Sequence, residues 1–375
     1  MLITAARPQP VSRPKVEFPT DEGAHPEAKT EWWYLHGYLE DEEGKSYGFH
    51  HALFDAPDVI NGRYNVDLPA MPGAMALDAA LTEETDGQHT RSRQMTILPP
   101  FLKHPGLKQN ELDVSYRGPE GNFRMRRWDS QTIKVSGIAG RGHLDLDMKQ
   151  TKPVLLMGGE GEIKMGPKGL SKYYSIPRME VQGTLLLDGE EKTVKGNAWL
   201  DHQWGDMAIF DGYKGWDWFG IQLDNRTEIN AFHFRAGDGG TVQASVGILN
   251  PDGSQSVTED LRLTPGRTWK SEETGAEYPI EWHLSLPQQQ IELDLKPSLD
   301  AQEMVGHPPF SYPELGPKPT YWEGSMHVTG TIAGQPVQGR AYTELVGYPG
   351  DRLAVSQLTP ETIELAQKLA AEHSS

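Results

Sequence analysis

A chain of 375 residues exceeds the usual size of a single hydrophobic core, so its length predicts two domains. Its formal net charge of −18 argues against partners such as nucleic acid or anionic membrane surfaces. The absence of cysteine excludes disulfides, thiol nucleophiles and thiolate-bound metals, and it fits a cytosolic or an oxidising compartment equally well.

The N-terminal stretch MLITAARPQPVSRPKVEF contains three prolines and no apolar core, so it does not look like a signal peptide. No segment of the sequence reaches the ~18 consecutive apolar residues that a membrane-spanning helix needs. Either the protein is cytoplasmic, or a leader has been removed and the protein is periplasmic or secreted. The residues leave both localisations open.

Polar and apolar residues mostly alternate along the chain, which predicts β-strands joined by turns about every ten residues. The sequence EWWYLHGYLEDEEGKSYGFHHALF, residues 31–54, predicts a hairpin, and VQGTLLLDGEEKTVKGNAWL predicts a second one with an Asp-Gly turn. The stretch 55–110 contains several prolines and glycines, so we expect an irregular excursion over a barrel mouth.

The hairpin rhythm breaks after GNAWLDHQWGDM, which predicts a first domain over 15–205 and a second over 206–355. A short helix is predicted over 356–375, because Thr359 can cap ETIELAQKLAAEH and Pro360 suits the first helical position. The predicted fold class is all-β, with two antiparallel β-barrels followed by this C-terminal helix.

The segment AWLDHQWGD, residues 198–206, could contribute to a reaction. As a strand it places His202 and Trp204 on one face and Asp201 on the other. A histidine beside a tryptophan among apolar neighbours suits a proton-handling group in an apolar pocket. The alternative is a strand end whose His and Asp bond to a neighbouring loop.

The segment GWDWFGIQL contains an aspartate between two tryptophans. Alternation places Trp216 and Trp218 on one face, and Asp217 on the opposite face with apolar neighbours. An aspartate on an apolar face must be paired or have a raised pKa, and a protonated carboxylic acid could protonate a hydrocarbon. The alternative is that Asp217 pairs with an arginine or caps backbone amides.

The 31–54 hairpin carries histidines on both faces, with His51 on one face of the return strand and His50 on the other. A lone inward histidine is more often a satisfied core residue than a catalyst. No two histidines of the candidate group show the H-x-x-x-H or H-x-H spacing of metal sites, and neither a Walker loop nor a G-x-S-x-G elbow occurs. The sequence therefore predicts no metal and no cofactor.

Five motifs occur in one order from about residue 17 to 350, namely FPTDEGAHPEAKTEWWYLHGYL, YYSIPRMEVQGTL, GNAWLDHQWG, GWDWFGIQLD and YWEGSMHVTG…GRAYTELVGY. Together they resemble the AttH-like and carotenoid 1,2-hydratase-like proteins. The resemblance implies two tandem lipocalin-like β-barrel domains that pack on each other, with a lipophilic pocket at or near their junction.

The same resemblance implies a class of chemistry. The family includes hydratases that add water to an isoprenoid double bond and a fungal hydratase of a prenylated flavonoid, and related lipocalin-like proteins cyclise polyenes. The His and Trp that carotenoid hydratases use in D-H-x-W-G correspond here to His202 and Trp204. Those enzymes also use a tyrosine and an aspartate on a later strand, but EINAFHFRAG has no carboxylate after Glu228. This departure shifts the acid role towards Asp217 or Asp201.

These observations predict a cofactor-free hydratase or cyclase that protonates a double bond of an isoprenoid or similar lipophilic alkene. The alternative is a non-catalytic, lipocalin-like carrier of such a molecule. We expect the catalytic residues His202, Asp217 and Asp201 to act in a pocket walled by the 31–54 hairpin, with His202, Trp204 and Asp217 converging on it. The expected ligand-binding residues are Trp32, Tyr34, His51, Trp204, Trp216, Trp218 and Tyr342.

Overall fold

The chain folds into two large antiparallel β-sheets. The computed structural model describes residues 14–56, 73–98, 105–165, 169–206, 213–236, 241–305 and 320–348, together with Glu364 and Lys368. The C-terminal helix predicted over 356–375 lies outside the described residues, apart from Glu364 and Lys368, which are helical. None of the helices among the described residues has the length and hydropathy that crossing a bilayer requires.

The first sheet has twelve strands and curls into a nearly closed barrel. Its strands are β1 Thr30–Asp41, β2 Ser46–Ala56, β3 Gly73–Glu83, β4 Gln88–Leu98, β5 Asp113–Gly118, β6 Gly121–Arg127, β7 Thr132–Ala139, β8 Gly142–Gln150, β9 Leu155–Leu156, β10 Glu162–Lys164, β11 Leu170–Leu187 and β12 Glu190–Asp206. Their order is β4-β3-β2-β1-β12-β11-β8-β7-β6-β5, and β9 and β10 pair with β11. A 3.0 Å contact between the hydroxyls of Thr96 and Tyr116 joins the two end strands.

The second sheet has ten strands and forms a half-barrel. Its strands are β13 Gly215–Leu223, β14 Glu228–Arg235, β15 Thr241–Leu249, β16 Gln255–Thr258, β17 Arg262–Pro265, β20 Trp282–Leu286, β21 Ile291–Pro297, β22 Glu303–Met304, β23 Tyr321–Ile332 and β24 Gln335–Val346. Their order is β16-β15-β14-β13-β24-β23-β21-β20-β17, with β22 on β23. The strands β18 Thr268–Lys270 and β19 Glu277–Pro279 form a separate pair, and short 3-10 helices cover Thr20–Glu22, Met157–Gly159 and Pro287–Gln289.

The all-β, tandem lipocalin-like fold is confirmed, and so are the two predicted hairpins, which are β1–β2 and β11–β12. The irregular excursion predicted over 55–110 is wrong for residues 73–98, which form the β3–β4 hairpin. Strand β3 is buried along nearly its whole length, so it lacks the alternation by which a half-exposed strand is recognised. Leu77 faces the barrel interior, and Ala80 packs against the second sheet.

Each sheet encloses its own apolar core, and a third core lies between the two sheets. Along β1 and β12, residues such as Trp33 and Leu200 fill the first barrel. Along β13, Phe219 fills the second. Side chains of the opposite faces, among them Tyr34 and Trp218, pack against each other in the third core. In the buried parts of β1, β12 and β13, strand alternation therefore assigns each side chain either to a barrel interior or to the layer between the sheets.

The last strand of the first sheet ends at Asp206, and the first strand of the second sheet begins at Gly215. Domains over 15–205 and 206–355 remain a prediction, because membership of a sheet does not measure whether a segment folds on its own.

Candidate functional site

His202 lies in the interior of the first barrel. Its Nε2 is 2.7 Å from Oε1 of Glu31, and its Nδ1 is 3.3 Å from the hydroxyl of Tyr174. The same Glu31 oxygen is 2.7 Å from Nδ1 of His25, whose ring stacks on Trp204 at 4.0 Å. Burial would raise the pKa of Glu31, but hydrogen bonds from His202 and His25 outweigh it and hold this pKa below its usual value.

His25, Glu31 and His202 are the one group of three potential metal ligands that the described residues bring together. Their facing nitrogen and oxygen atoms are already at hydrogen-bond distance from each other. Each of these three side chains has hydrogen-bond partners for its buried polar atoms. The cluster is therefore complete as a hydrogen-bonded triad and could hold a divalent metal only if these bonds opened.

Asp217 lies in the interior of the second sheet, apart from His202 and Trp204. Its Oδ2 is 3.0 Å from Nδ1 of His233 and 3.2 Å from Nε of Arg235. Its Oδ1 accepts a hydrogen bond from the hydroxyl of Tyr348. The expected convergence of His202, Trp204 and Asp217 is therefore wrong, and Asp217 is instead paired with an arginine. The reason is that β13 follows β12 in the chain but belongs to the other sheet, whose interior Asp217 faces.

A group of closely packed polar and aromatic side chains lies between the sheets. The ring centroid of His36 on β1 is 4.9 Å from that of Tyr342 and 5.6 Å from that of Trp218. This close approach requires glycine at position 220, where a Cβ would lie 2.5 Å from the Trp218 ring and 3.0 Å from Nε2 of His36. We call this group the inter-sheet site, and it comprises Tyr34, His36, His50, Asp201, Trp216, Trp218, Glu323, Tyr342 and Glu344.

Two buried histidines of the inter-sheet site have unused hydrogen-bonding atoms. His36 and His50 are directly opposite each other in the β1–β2 pairing, and both ring nitrogens of each have no partner among the described residues. The same is true of the hydroxyl of Tyr342. Burial holds the pKa of both histidines well below the ordinary value, so both rings are neutral. Each neutral ring offers one donor and one acceptor to a polar group of a ligand or to water.

Three carboxyl groups of the inter-sheet site have raised pKa values. Burial raises the pKa of Glu323 well above its usual range and that of Asp201 to about 7. Burial also raises the pKa of Glu344 to about 7, although this side chain remains partly exposed. Aromatic side chains donate to all three, at 2.5 Å from Tyr34 to Glu323 and 2.6 Å from Trp216 to Glu344. At pH 7 Glu323 therefore keeps its proton, whereas Asp201 and Glu344 are close to half-protonated.

A family model described as AttH-like matches residues 9–348. The chain belongs to the AttH-like family. A crystal structure of a candidate AttH protein from Nitrosomonas europaea is 28% identical to it, with a TM-score of 0.74, and the match covers 91% of this chain and 99% of that one. The resemblance read from the five motifs is thus confirmed.

Two more distant structures share the fold of this AttH-like chain. Kievitone hydratase from Nectria haematococca is 19% identical, with a TM-score of 0.67, over 89% of this chain and 95% of that one. CghA in complex with Sch210972 is 14% identical, with a TM-score of 0.52, over 86% and 90% of the two chains. At these identities the similarity establishes the fold alone. Among curated proteins, none matches the sequence.

The predicted site residues of this AttH-like protein divide between three places. Trp32, Tyr34, Asp201, Trp216, Trp218 and Tyr342 lie at the layer between the sheets, whereas His51, His202 and Trp204 lie inside the first barrel and Asp217 inside the second. His51 is 2.7 Å from the carbonyl oxygen of Ile138 and stacks on Phe123, as a satisfied core histidine does.

Sequence reasoning missed Glu323 and Glu344 as site residues of this AttH-like chain. Both lie in the motif YWEGSMHVTG…GRAYTELVGY, and alternation places Glu344 on the same strand face as Tyr342. A glutamate on the face of a buried tyrosine was therefore a usable signal. What alternation could not supply was the neighbour, because Tyr34 and Glu323 lie 289 positions apart in the chain.

The raised pKa of Asp201 predicts how stability depends on pH. Between the ordinary aspartate pKa of 3.8 and about 7, the folded protein keeps a proton that the unfolded chain has lost. The free energy of unfolding of the wild type should therefore fall, relative to that of Asp201→Asn, as pH rises through this window, by a few kcal/mol in total. Urea denaturation of both proteins at several pH values measures it. A difference that stays constant from pH 4 to 8 would contradict the expectation.

Proposed function

We propose that this AttH-like protein is a hydratase or cyclase that protonates a double bond of an isoprenoid-like, lipophilic alkene in the inter-sheet site, without an organic cofactor. One observation carries the proposal, namely that carboxyl groups with raised pKa values lie beside aromatic rings in a buried layer. An alkene is a weak base, so its protonation needs an acid that is still protonated at the working pH.

The lining of the inter-sheet site suits the cation that protonation creates. The rings of Trp218 and Tyr342 lie close to the imidazole of His36, with centroid separations of 5.6 and 4.9 Å. Aromatic faces stabilise a desolvated cation through their quadrupoles, by about 1–2 kcal/mol per ring. The neutral imidazoles of His36 and His50 can hold a water molecule by hydrogen bonds. Capture of the cation by water would yield an alcohol, and capture by a second double bond of the substrate would yield a ring.

The fold shared with kievitone hydratase agrees with this reaction class, since that protein is by name a hydratase. A non-catalytic carrier would use the same aromatic rings for binding alone. A carrier has no need of protonated carboxyl groups, whose burial is unfavourable unless they serve another role. We therefore favour the enzyme.

A labelling experiment separates the two functions. The purified protein is incubated with geranylgeraniol, squalene and a prenylated flavonoid, in D2O and separately in H2¹⁸O, and the products are analysed by mass spectrometry. A hydratase should place deuterium on carbon and ¹⁸O in a new hydroxyl, and a cyclase should give deuterium in an isomer of the substrate. Heat-denatured protein is the control. Tight binding of a probe that is returned unlabelled and unchanged would contradict catalysis and support the carrier.

A further inference from the structure

Two carboxyl groups of the inter-sheet site form a pair. In the antiparallel pairing of β23 with β24, Glu323 lies directly opposite Glu344. Residues opposite each other in such a pair have Cβ atoms about 5 Å apart and point to the same face of the sheet. That face carries Tyr342 and meets Tyr34 of the first sheet. The two glutamates are therefore neighbours within one buried layer.

In each glutamate of the pair, Oε1 accepts one hydrogen bond and Oε2 takes no part in that bond. Tyr34 donates to Oε1 of Glu323, and Oε2 of Glu323 is buried with no partner among the described residues. The indole of Trp216 donates to Oε1 of Glu344. Glu344 and Trp216 are both partly exposed, whereas Glu323 is buried. The pair thus joins an enclosed carboxyl group to one that water can reach.

The surrounding charges favour a single proton on the pair. The titratable and charged groups that face it are Tyr34, Tyr38, Asp78, Arg93, Asp201, Tyr321 and Tyr342, and the Arg340–Glu84 ion pair lies beside Tyr38 and Tyr342. Arg93 is engaged by Asp78, with Nη2 2.6 Å from Oδ2, so its charge is already matched. Arg340 is likewise engaged by Glu84, so among the described residues both nearby arginines already have a carboxylate partner. Two adjacent carboxylates would then repel each other strongly in a buried layer, so one of them retains a proton.

We propose that Glu323 and Glu344 are the acid and the base of the reaction, with one shared proton that is delivered to an alkene by Glu323. This inference rests on the proposed function and names the catalytic residues for it. Asp201 is a poorer donor, because Trp199 and Tyr173 bond to its two oxygens at 2.6 and 2.5 Å. In Glu323, by contrast, Oε2 has no partner among the residues that the structure describes and can carry the proton towards a substrate.

The proposed steps conserve atoms and charge. The π electrons of the double bond take the proton from Glu323, which forms a C–H bond and leaves a tertiary carbocation and a Glu323 carboxylate. The oxygen of a water molecule bonds to the cation, and the proton that it releases passes to Glu344. Transfer of this proton from Glu344 to Glu323 restores the pair, so alkene and water give an alcohol. In a cyclisation, a second double bond replaces water and the final proton is lost from carbon to Glu344.

Infrared spectroscopy tests the shared proton without any substrate. In a difference spectrum at pH 7, the carbonyl absorption band of protonated carboxylic acids should be stronger in the wild type than in Glu323→Gln, while the contribution of Asp201 is common to both proteins and cancels. In Glu344→Gln the band should persist and titrate at lower pH, because the neighbouring negative charge is gone. The control Glu277→Gln removes an exposed carboxylate, paired with Lys270, and should leave the band unchanged. If Glu323→Gln fails to fold, the titration of the wild type against Glu344→Gln decides. The inference would be overturned if Glu323→Gln kept the full absorption of the wild type, or if the wild type and Glu344→Gln titrated at the same pH.

The second test of the inference measures turnover of a probe that the wild type converts. Both Glu323→Gln and Glu344→Gln should lose at least about 100-fold in turnover while they still bind the probe, and Glu277→Gln should match the wild type. Full turnover by either variant would overturn the assignment and leave the proposed function standing. If the wild type itself converts none of the probes, the proposed function fails, and the infrared band still decides whether the pair shares a proton.

Discussion

Replacement of Glu228 by Gln is expected to lower the free energy of unfolding by about 3–5 kcal/mol. Glu228 on β14 is fully buried, with Oε1 2.5 Å from Nε of Arg178 and Oε2 3.0 Å from Nζ of Lys152. Both cations belong to the segment that builds the first sheet, so this carboxylate connects the two sheets. Its neutralisation leaves the buried charge of Lys152 and the partly buried charge of Arg178 without a counter-ion, with only backbone carbonyls as partners, which is the costly way to break an ion pair.

Urea denaturation followed by circular dichroism measures this loss. The matched control is Glu277→Gln, which breaks an exposed pair with Lys270 and should change the free energy of unfolding by no more than about 0.5 kcal/mol. Equal stability of the two variants would show that Glu228 does not hold the sheets together through its charge.

Replacement of Trp218 by Ala is expected to cost about 3–5 kcal/mol of stability and to abolish binding of any lipophilic probe. The indole is buried between the sheets, and its Nε1 donates to the hydroxyl of Tyr173 and to Oδ1 of Asn230, at 3.0 and 3.1 Å. Its ring also meets Tyr34 edge-on at 5.2 Å. The substitution would therefore open a cavity and leave buried polar groups unpaired.

The control for this variant is Trp128→Ala. Trp128 is 56% exposed, and Arg126 and Lys134 lie over its ring. Its loss should cost at most about 1 kcal/mol and leave probe binding unchanged. Calorimetric unfolding and fluorescence titration with geranylgeraniol compare both variants. Retention of probe binding by Trp218→Ala would place the ligand outside the inter-sheet site.

Much of the fold could be predicted because strand alternation is a local property. The faces of β1, β12 and β13 agree with the period-two pattern, including the separation of Asp201 from His202. The β3–β4 hairpin was missed because both faces of β3 are buried, one in the barrel and one against the second sheet. A strand with two buried faces has no polar face to alternate with.

The candidate site could be predicted only in part. The aromatic residues of the 31–54 hairpin and of β13 were recognised, because their composition marks them as a wall. The sequence did not show in the same way which carboxyl groups belong to the site. Asp217 was named as a candidate acid, with pairing to an arginine as the alternative, and the structure shows the alternative, since β14 runs beside β13 and brings Arg235 to 3.2 Å. Glu323 was overlooked, although it bonds directly to Tyr34 of the predicted wall.

By itself the sequence determined the β1–β2 and β11–β12 hairpins, which side chains share a face along β1, β12 and β13, and membership of the AttH-like family, since period-two alternation and the five ordered motifs are written in consecutive residues. Only the tertiary structure decided which faces meet. The outer faces of β1 and β24 come together across the two sheets, whereas the face that carries His202 turns into a barrel. The physical reason is that alternation tells which residues share a face, but the packing of whole sheets tells what that face touches.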